Sequence, residues 1–299
     1  MLDFRWKVFR SVAKHLSFTK AAGELFITQP AATKRVQELE AEVGLRLFLR
    51  KGNRIQLTPA GETMLAFAER AHALQEEVAF AMGKLKDQVS GHLRLGASTT
   101  IAQYVMAPVL SAFHQRYPHV KLSLLNGNTE AMEQALIHQD IDLGIVEGLS
   151  HRRELQYTPF LPDELVPVVR TGHALTQAGS ITLPELARQP LVLRERGSGT
   201  LEVIEEALRV HQLRLPDLNV VLDLGSSETI KSFLQHSDCV ALLSRYSILQ
   251  ELETGKLVTL QPDGFRLQRS FWFVQPVGQP EGLSQLFQQF CLHQYNLPE

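Results

Sequence analysis

Apolar and polar positions change period along the chain, and each change predicts a different kind of element. Phe9, Val12, Ala13 and Leu16 recur at helical spacing, which predicts a first helix over residues 4–15. Ser17 is placed to cap a second helix, whose apolar stripe is Ala21, Ala22 and Leu25. After the short apolar turn Phe26-Ile27, Thr28 caps a third helix with Pro30 in its first turn, where a missing N–H costs nothing. On a helical wheel Ala32, Val36, Leu39 and Val43 form one stripe that must face a core. Opposite them lie Pro30, Lys34 and Gln37, flanked by Ala31 and Thr33, and Gly44 ends the helix. Leu47–Leu49 and the Ile55, Leu57 pair then read as two strands around the basic turn Arg50-Lys51-Gly52-Asn53-Arg54. The first 58 residues are therefore expected to form an all-α winged helix-turn-helix.

Thr58 and Pro59 start a further helix that meets no breaker before Ser90-Gly91. Met64, Phe67, Ala71, Leu74, Val78, Ala81 and Leu85 alternate spacings of three and four, the seam of a helix that pairs with another. Residues 59–89 are expected to be a linker that dimerises the chain. From His92 onwards strands alternate with helices. HLRLGA, VKLSLLN and IDLGIV read as strands, with helices over about 102–116 and 130–138 between them. Leu165–Val169 opens a second set. There PLVLRE, NVVLDL and CVALLS are strands, with helices over about 200–212 and 227–236. FRLQRSFWFVQ and a helix over 283–295 close the chain and are expected to return to the first lobe. This predicts an α/β body of two Rossmann-like lobes. Lobe I takes about 90–163 and 267–299, and lobe II about 164–266.

Composition narrows the function classes. At 44% apolar and 21% charged residues, the 299-residue chain has the material for packed cores and is not a disordered protein. Two cysteines exclude a disulfide framework. The charged N-terminus lacks a signal-peptide core, and no apolar run is long enough to span a bilayer, so a cytoplasmic protein without membrane contact is expected. The net charge of −2 argues against nucleic acid until it is divided by segment. Residues 1–60 hold 11 bases against five acids, while residues 91–299 hold 16 bases against 22 acids. A basic head on an acidic body points to DNA at the head.

The outer face of the third helix is short, polar and basic, which suits a major groove. Lys34 can reach guanine, Gln37 can pair with adenine, and the methyls of Ala31 and Thr33 can touch thymine. Ser17, Thr19 and Thr28 at the helix starts, with Arg50, Lys51 and Arg54 on the wing, complete the candidate DNA contacts. In the body, hydroxyls and glycines gather at four strand ends: Ser98, Thr99 and Thr100; Asn128 and Thr129; Arg194, Ser198, Gly199 and Thr200; and Ser226. Such groups at helix starts, with an arginine beside them, suit a small anion. Nothing resembles a nucleophile elbow, a P-loop or a metal set, so no catalysis and no cofactor beyond a small effector is expected. His138, Asp140 and Asp142 lack ligand spacing and are read as structural.

SFTKAAGELFITQPAATKRVQELEAEVGLRLFLRKGNRIQLTPAGE closely resembles the DNA-binding segment of LysR-type transcriptional regulators, and the resemblance extends over essentially the whole chain. It implies a body of periplasmic-binding-protein type II-like fold. It also implies that Gln29, Pro30, Ala31, Thr33 and Lys34 start the recognition helix, that Arg50 and Arg54 make wing contacts, and that Ser98, Thr100, Asn128, Thr129, Ser198 and Thr200 lie in an effector cleft. LVLRERGSGTLEVIEEAL, LGSSETIKSFL and ALLSRYSILQEL are similar to a branch that regulates carbon fixation and sulfur assimilation through small or phosphorylated anions. The partners implied are double-stranded DNA, further copies of the chain as a dimer or tetramer, and RNA polymerase. Two other readings remain open at this point, a solute-binding protein of the same two-lobe fold and an enzyme carrying a regulatory head.

Overall fold

A computed structural model of the chain describes residues 3–51, 54–85, 89–149, 151–278, 282–295 and 297. It divides into two compact units, Met1–Gln88 and Val89–Glu299.

The first unit runs α1 (Phe4–His15), α2 (Phe18–Glu24), α3 (Gln29–Val43), the hairpin β1 (Phe48–Lys51) and β2 (Arg54–Leu57), and α4 (Pro59–Leu85). Its caps form as the sequence expects. Ser17 Oγ accepts the Lys20 N–H, Thr28 Oγ1 accepts that of Ala31, and Thr58 Oγ1 accepts that of Gly61 at 2.9 Å. Val8, Val12, Ala21, Ala22, Ala32 and Val36 pack into one core, with Phe9, Leu39, Leu47 and Ala68 beside it. Two expected core positions are not in it. Val43 and Leu16 are exposed, because each stands where its helix ends and overhangs the three-helix core. Leu16 takes left-handed φ of 45° and turns the chain out of α1.

The second unit opens with β3 (Gly91–Ser98), α5 (Thr99–Tyr104), α6 (Met106–Arg116), β4 (Val120–Gly127), α7 (Thr129–Ile137) and β5 (Leu143–Glu147). The helix expected over 102–116 is thus two helices, broken at Val105, whose φ of −116° departs from helical values. Next comes β6 (Leu155–Arg170), a 16-residue strand that starts ten residues before the expected Leu165. Lobe II follows with β7 (Ser180–Thr182), α8 (Leu183–Arg188), β8 (Leu191–Arg194), α9 (Gly199–Val210), β9 (Val220–Leu224), α10 (Ser227–Leu234), β10 (Val240–Ser244), α11 (Leu249–Glu253), β11 (Leu257–Thr259) and β12 (Gln261–Asp263). β13 (Gln268–Pro276) and α12 (Leu283–Gln294) end the chain.

The strands line up as β4-β3-β5-β13-β6-β10-β8-β9, with β11 on β6. β3 pairs with β4 and β5 in parallel, and β8 pairs with β9 and β10 in parallel, as two separate α/β lobes require. The antiparallel pair β6 and β13 joins them. Lobe I closes over Leu95, Ile101, Phe113, Phe271, Phe273 and Phe287, so the last strand and helix pack there. Lobe II closes over Leu165, Leu193, Ile204 and Leu242 on one face and Val168, Ile230 and Leu243 on the other. The parallel strands end at Ser98, Gly127, Glu147, Arg194, Leu224 and Ser244, and their carboxyl ends build the space between the lobes.

Candidate DNA-binding and effector sites

In the first unit α3 presents Gln29, Pro30, Lys34 and Gln37 to solvent, with Ala31 and Thr33 half-buried at its flanks. Gln29 Nε2 donates to Thr33 Oγ1 at 2.9 Å, which fixes the start of the helix, while Lys34 carries no bond to another described side chain. Thr19 and Thr28 are exposed and Ser17 is half-buried at the starts of α2 and α3. The wing hairpin is in place through its backbone. Gly52, Asn53 and the side chains of Arg50, Lys51 and Arg54 lie outside the described residues. Along α4, Phe67, Leu74, Val78 and Met82 stand exposed, a stripe of large apolar side chains.

In the second unit Ser98, Thr100, Thr129 and Gly199 meet at Glu147, and most of the expected cleft residues are buried. Ser98 is the N-cap residue of α5, yet its hydroxyl makes no cap bond. It donates to Glu147 Oε2 instead, and Thr100 Oγ1 donates to Glu147 Oε1 at 3.4 Å. Thr129 Oγ1 donates to the Glu147 carbonyl at 2.7 Å, and Thr99 Oγ1 to the Gly127 carbonyl at 3.1 Å. Asn128 caps α7 through Oδ1 and reaches the Arg196 carbonyl of lobe II with Nδ2 at 3.3 Å. Ser198 caps α9 by accepting the Leu201 N–H. Gly199 touches lobe I so closely that a Cβ there would lie 2.0 Å from the Glu147 carbonyl oxygen. Ser226 is the N-cap residue of α10 and makes no side-chain cap bond.

Two buried charges at the heart of this cleft were not singled out in the sequence. Glu147 closes β5, with 1% of its surface exposed. Arg269, on β13, sends Nε to Asp163 at 2.7 Å and Nη1 to Thr200 at 2.9 Å, and lies 3.6 Å from Glu147. Ser244 Oγ donates to the other Asp163 oxygen at 2.8 Å. Residues from β5, β6, β10, β13 and α9 therefore meet in one polar cluster joining the lobes. A carboxylate at the end of a buried strand carries no periodic signal. Its role shows only when β13 returns to lie beside β5.

Arg194, at the end of β8, is 1% exposed. Nε and Nη2 clasp Glu195 at 2.8 and 3.0 Å, while Nη1 is buried with no partner among the described residues. Burial works against the Glu195 charge, but the Arg194 guanidinium holds its carboxyl below the usual carboxylate range. Near by, the Tyr104 hydroxyl of α5 donates to Glu228 of α10, and burial together with that carboxylate pushes the phenol far up. Lys231 is buried between Glu228 at 2.9 Å and Glu251 at 3.0 Å. Asp142 binds Arg94 through both its backbone and its guanidinium, a structural role, and no described group of side chains is arranged to hold a metal. Cys239 and Cys291 are buried free thiols.

Residues 5–62 match the family described as bacterial regulatory helix-turn-helix protein, lysR family, and residues 86–296 match the LysR substrate binding domain. The chain is 34% identical over 266 residues to the HTH-type regulator YeiE of Escherichia coli K12, itself described as uncharacterised. That match covers 89% of this chain and 88% of the relative. It is 31% identical to the transcriptional activator CmpR of Synechocystis, over 90% of this chain and 88% of that one. Among solved structures, the Synechocystis CcmR regulatory domain in complex with 2-PG superposes with a TM-score of 0.62 at 28% identity. It covers 68% of this chain and 97% of that domain.

Proposed function

The chain belongs to the lysR family of bacterial DNA-binding transcriptional regulators, and we propose that a small oxyanion held at Arg194 between its two lobes sets how its N-terminal unit engages an operator. The protein is a regulator and not an enzyme, with an effector-binding domain over its C-terminal two thirds. No helix among the described residues is long and apolar enough to cross a membrane.

The observation that carries the effector class is the free Nη1 of Arg194. A buried, unpaired guanidinium nitrogen forgoes a charge-assisted bond, and an anionic oxygen supplies it. The starts of α7 and α9 add backbone N–H groups with a favourable dipole. Glu147 limits which anion fits. Ser98 and Thr100 already donate to it, so an effector reaching these hydroxyls meets a fixed carboxylate. An anion that carries an O–H of its own can donate to Glu147, whereas a fully deprotonated one meets only repulsion. The effector is therefore read as a small oxyanion that keeps a proton near neutral pH, such as phosphate or sulfite. The binding of 2-PG by the similar CcmR domain supports a small anionic effector.

For DNA, Lys34 and Gln37 read bases, Gln29, Ala31 and Thr33 adjust the fit, and Ser17, Thr19, Thr28 and the wing arginines hold phosphates. The stripe Phe67, Leu74, Val78 pairs with the same stripe of a second copy, so two heads address an inverted repeat. Higher assembly to a tetramer and contact with RNA polymerase belong to this reading as its outer terms. The effector acts only to the extent that it binds one lobe arrangement better than the other. A thermal-shift panel of sulfate, sulfite, phosphate and 2-PG on the full chain and on Arg194→Met tests it. Stabilisation of the full chain by a proton-bearing anion, lost in the variant, is expected. An equal response in both proteins would remove Arg194 from the site.

A further inference from the structure

Beside the cleft, the second unit holds a cavity of about 730 Å³ that shares Asp163 and Arg269 with the cleft cluster but is lined by none of the cleft hydroxyls. Small-molecule sites span roughly 300–1,000 Å³. Its walls come from both lobes and from the strands that join them. Leu149 follows β5, Arg245 and Leu249 follow β10, and Glu164 and Trp272 stand on β6 and β13. Leu149, Leu249 and Trp272 make a largely apolar surface, and the indole is held in place by Nε1 donating to the Gly148 carbonyl at 3.2 Å. Arg269 also lines this cavity. Its side chain is fully buried, and Nη2 has no partner among the described residues.

The charges around the cavity divide into two kinds. Asp163 is paired with Arg269 Nε at 2.7 Å, which leaves Arg269 Nη2 as a second donor for an anionic group on the same side as Arg245. Arg245 and Glu164 have no side-chain hydrogen bond or ion pair among the described residues. A free cation and a free carboxylate thus border one apolar hollow. Neither a simple anion nor a simple cation answers both, and a neutral apolar molecule answers neither. A zwitterion with an apolar body answers all three surfaces.

We propose that this cavity is a second ligand site, beside the effector cleft and sharing the Asp163–Arg269 pair with it, for an apolar α-amino acid. Its carboxylate lies at Arg245, its ammonium at Glu164, and its side chain against Trp272, Leu149 and Leu249. Because the walls belong to both lobes and to the strands between them, the occupant favours one lobe angle and gives the regulator a second input.

The chain offers its own reporter. It has two tryptophans, Trp6 and Trp272, so Trp6→Phe leaves a single indole inside the cavity, and a difference against Trp272→Phe isolates the same signal. L-leucine, L-methionine and L-phenylalanine are titrated into the full-length protein up to about 10 mM, the edge of specific weak binding. At least one is expected to change Trp272 emission saturably. The matching amine and carboxylic acid, each lacking one charge, should bind at least about tenfold more weakly. Arg245→Ala and Glu164→Gln, both at accessible positions, should each weaken the amino acid by about the same factor. No saturable change with any of the three would overturn the proposal. So would equal binding by the single-charge compounds, or affinity unaltered in both variants.

Discussion

Glu147→Gln changes one buried charge and almost no volume, so it isolates the claim that Glu147 selects for a proton on the effector. In the native cleft the carboxylate lies 3.6 Å from Arg269 and accepts the Ser98 and Thr100 hydroxyls. An anion oxygen drawn to those hydroxyls brings its charge to about 4 Å from Glu147, where each unit of like charge costs about 4 kcal/mol at an effective dielectric of about 20. Arg269 offsets part of that repulsion, and a net penalty of about 1.5–3 kcal/mol corresponds to roughly ten- to hundredfold in affinity. Glutamine removes the repulsion and adds an N–H donor. Sulfate should therefore gain about that factor in the variant, while phosphate, which loses an acceptor for its O–H, should gain little or weaken. Titration calorimetry on the full-length protein with both anions reads the ratio. The melting temperature reports the separate cost of leaving Arg269 with Asp163 and Thr200 alone, about 1–3 kcal/mol. An unchanged sulfate-to-phosphate ratio, or a wild-type protein that prefers sulfate, would refute the reasoning. Glu147→Asp keeps the charge and should keep sulfate excluded.

Four further outcomes are expected. Arg194→Met should weaken effector binding by at least about tenfold while the response of operator binding to salt stays as it was, measured by calorimetry and mobility shift. Lys34→Ala should cost about 1–3 kcal/mol on the operator and much less on unrelated duplex, because base contacts specify where phosphate contacts only position. Leu74→Asp puts a charge on the exposed stripe of α4 and should shift sedimentation towards the monomer, with the circular-dichroism spectrum unchanged. Gly199→Ala places a methyl 2.0 Å from the Glu147 carbonyl oxygen and must push the lobes apart. It should lower the melting temperature, by about 1–3 kcal/mol of overpacking, and abolish the effector response.

What could be read in advance followed physical periodicity. The helix-turn-helix was legible because caps, stripe and outer face all agree between Ser17 and Gly44. The strand ends were legible because hydroxyl and glycine residues follow each apolar run. Three features were hidden for definite reasons. The apolar pattern runs on through Val105, so the break between α5 and α6 leaves no mark in spacing. β6 contains Pro159, Pro162 and Pro167, which read as breakers. Over Leu155–Glu164 only β13 pairs with it, so one side of the strand is an edge where a missing N–H is harmless. Glu147 and Arg269 could not be singled out because their burial depends on β13 inserting between β5 and β6, a pairing across more than a hundred residues.

The central claim is that an anion at Arg194 changes how the heads hold DNA. Footprinting of the full-length protein on the promoter region of its own gene, with and without sulfite, phosphate or 2-PG, tests this most directly. The protected region should lengthen, shorten or acquire new cleavage bands when one of these anions is added, and the pattern should stay fixed with sulfate and in Arg194→Met. A footprint that no anion alters, or one that shifts equally in Arg194→Met, would contradict the account.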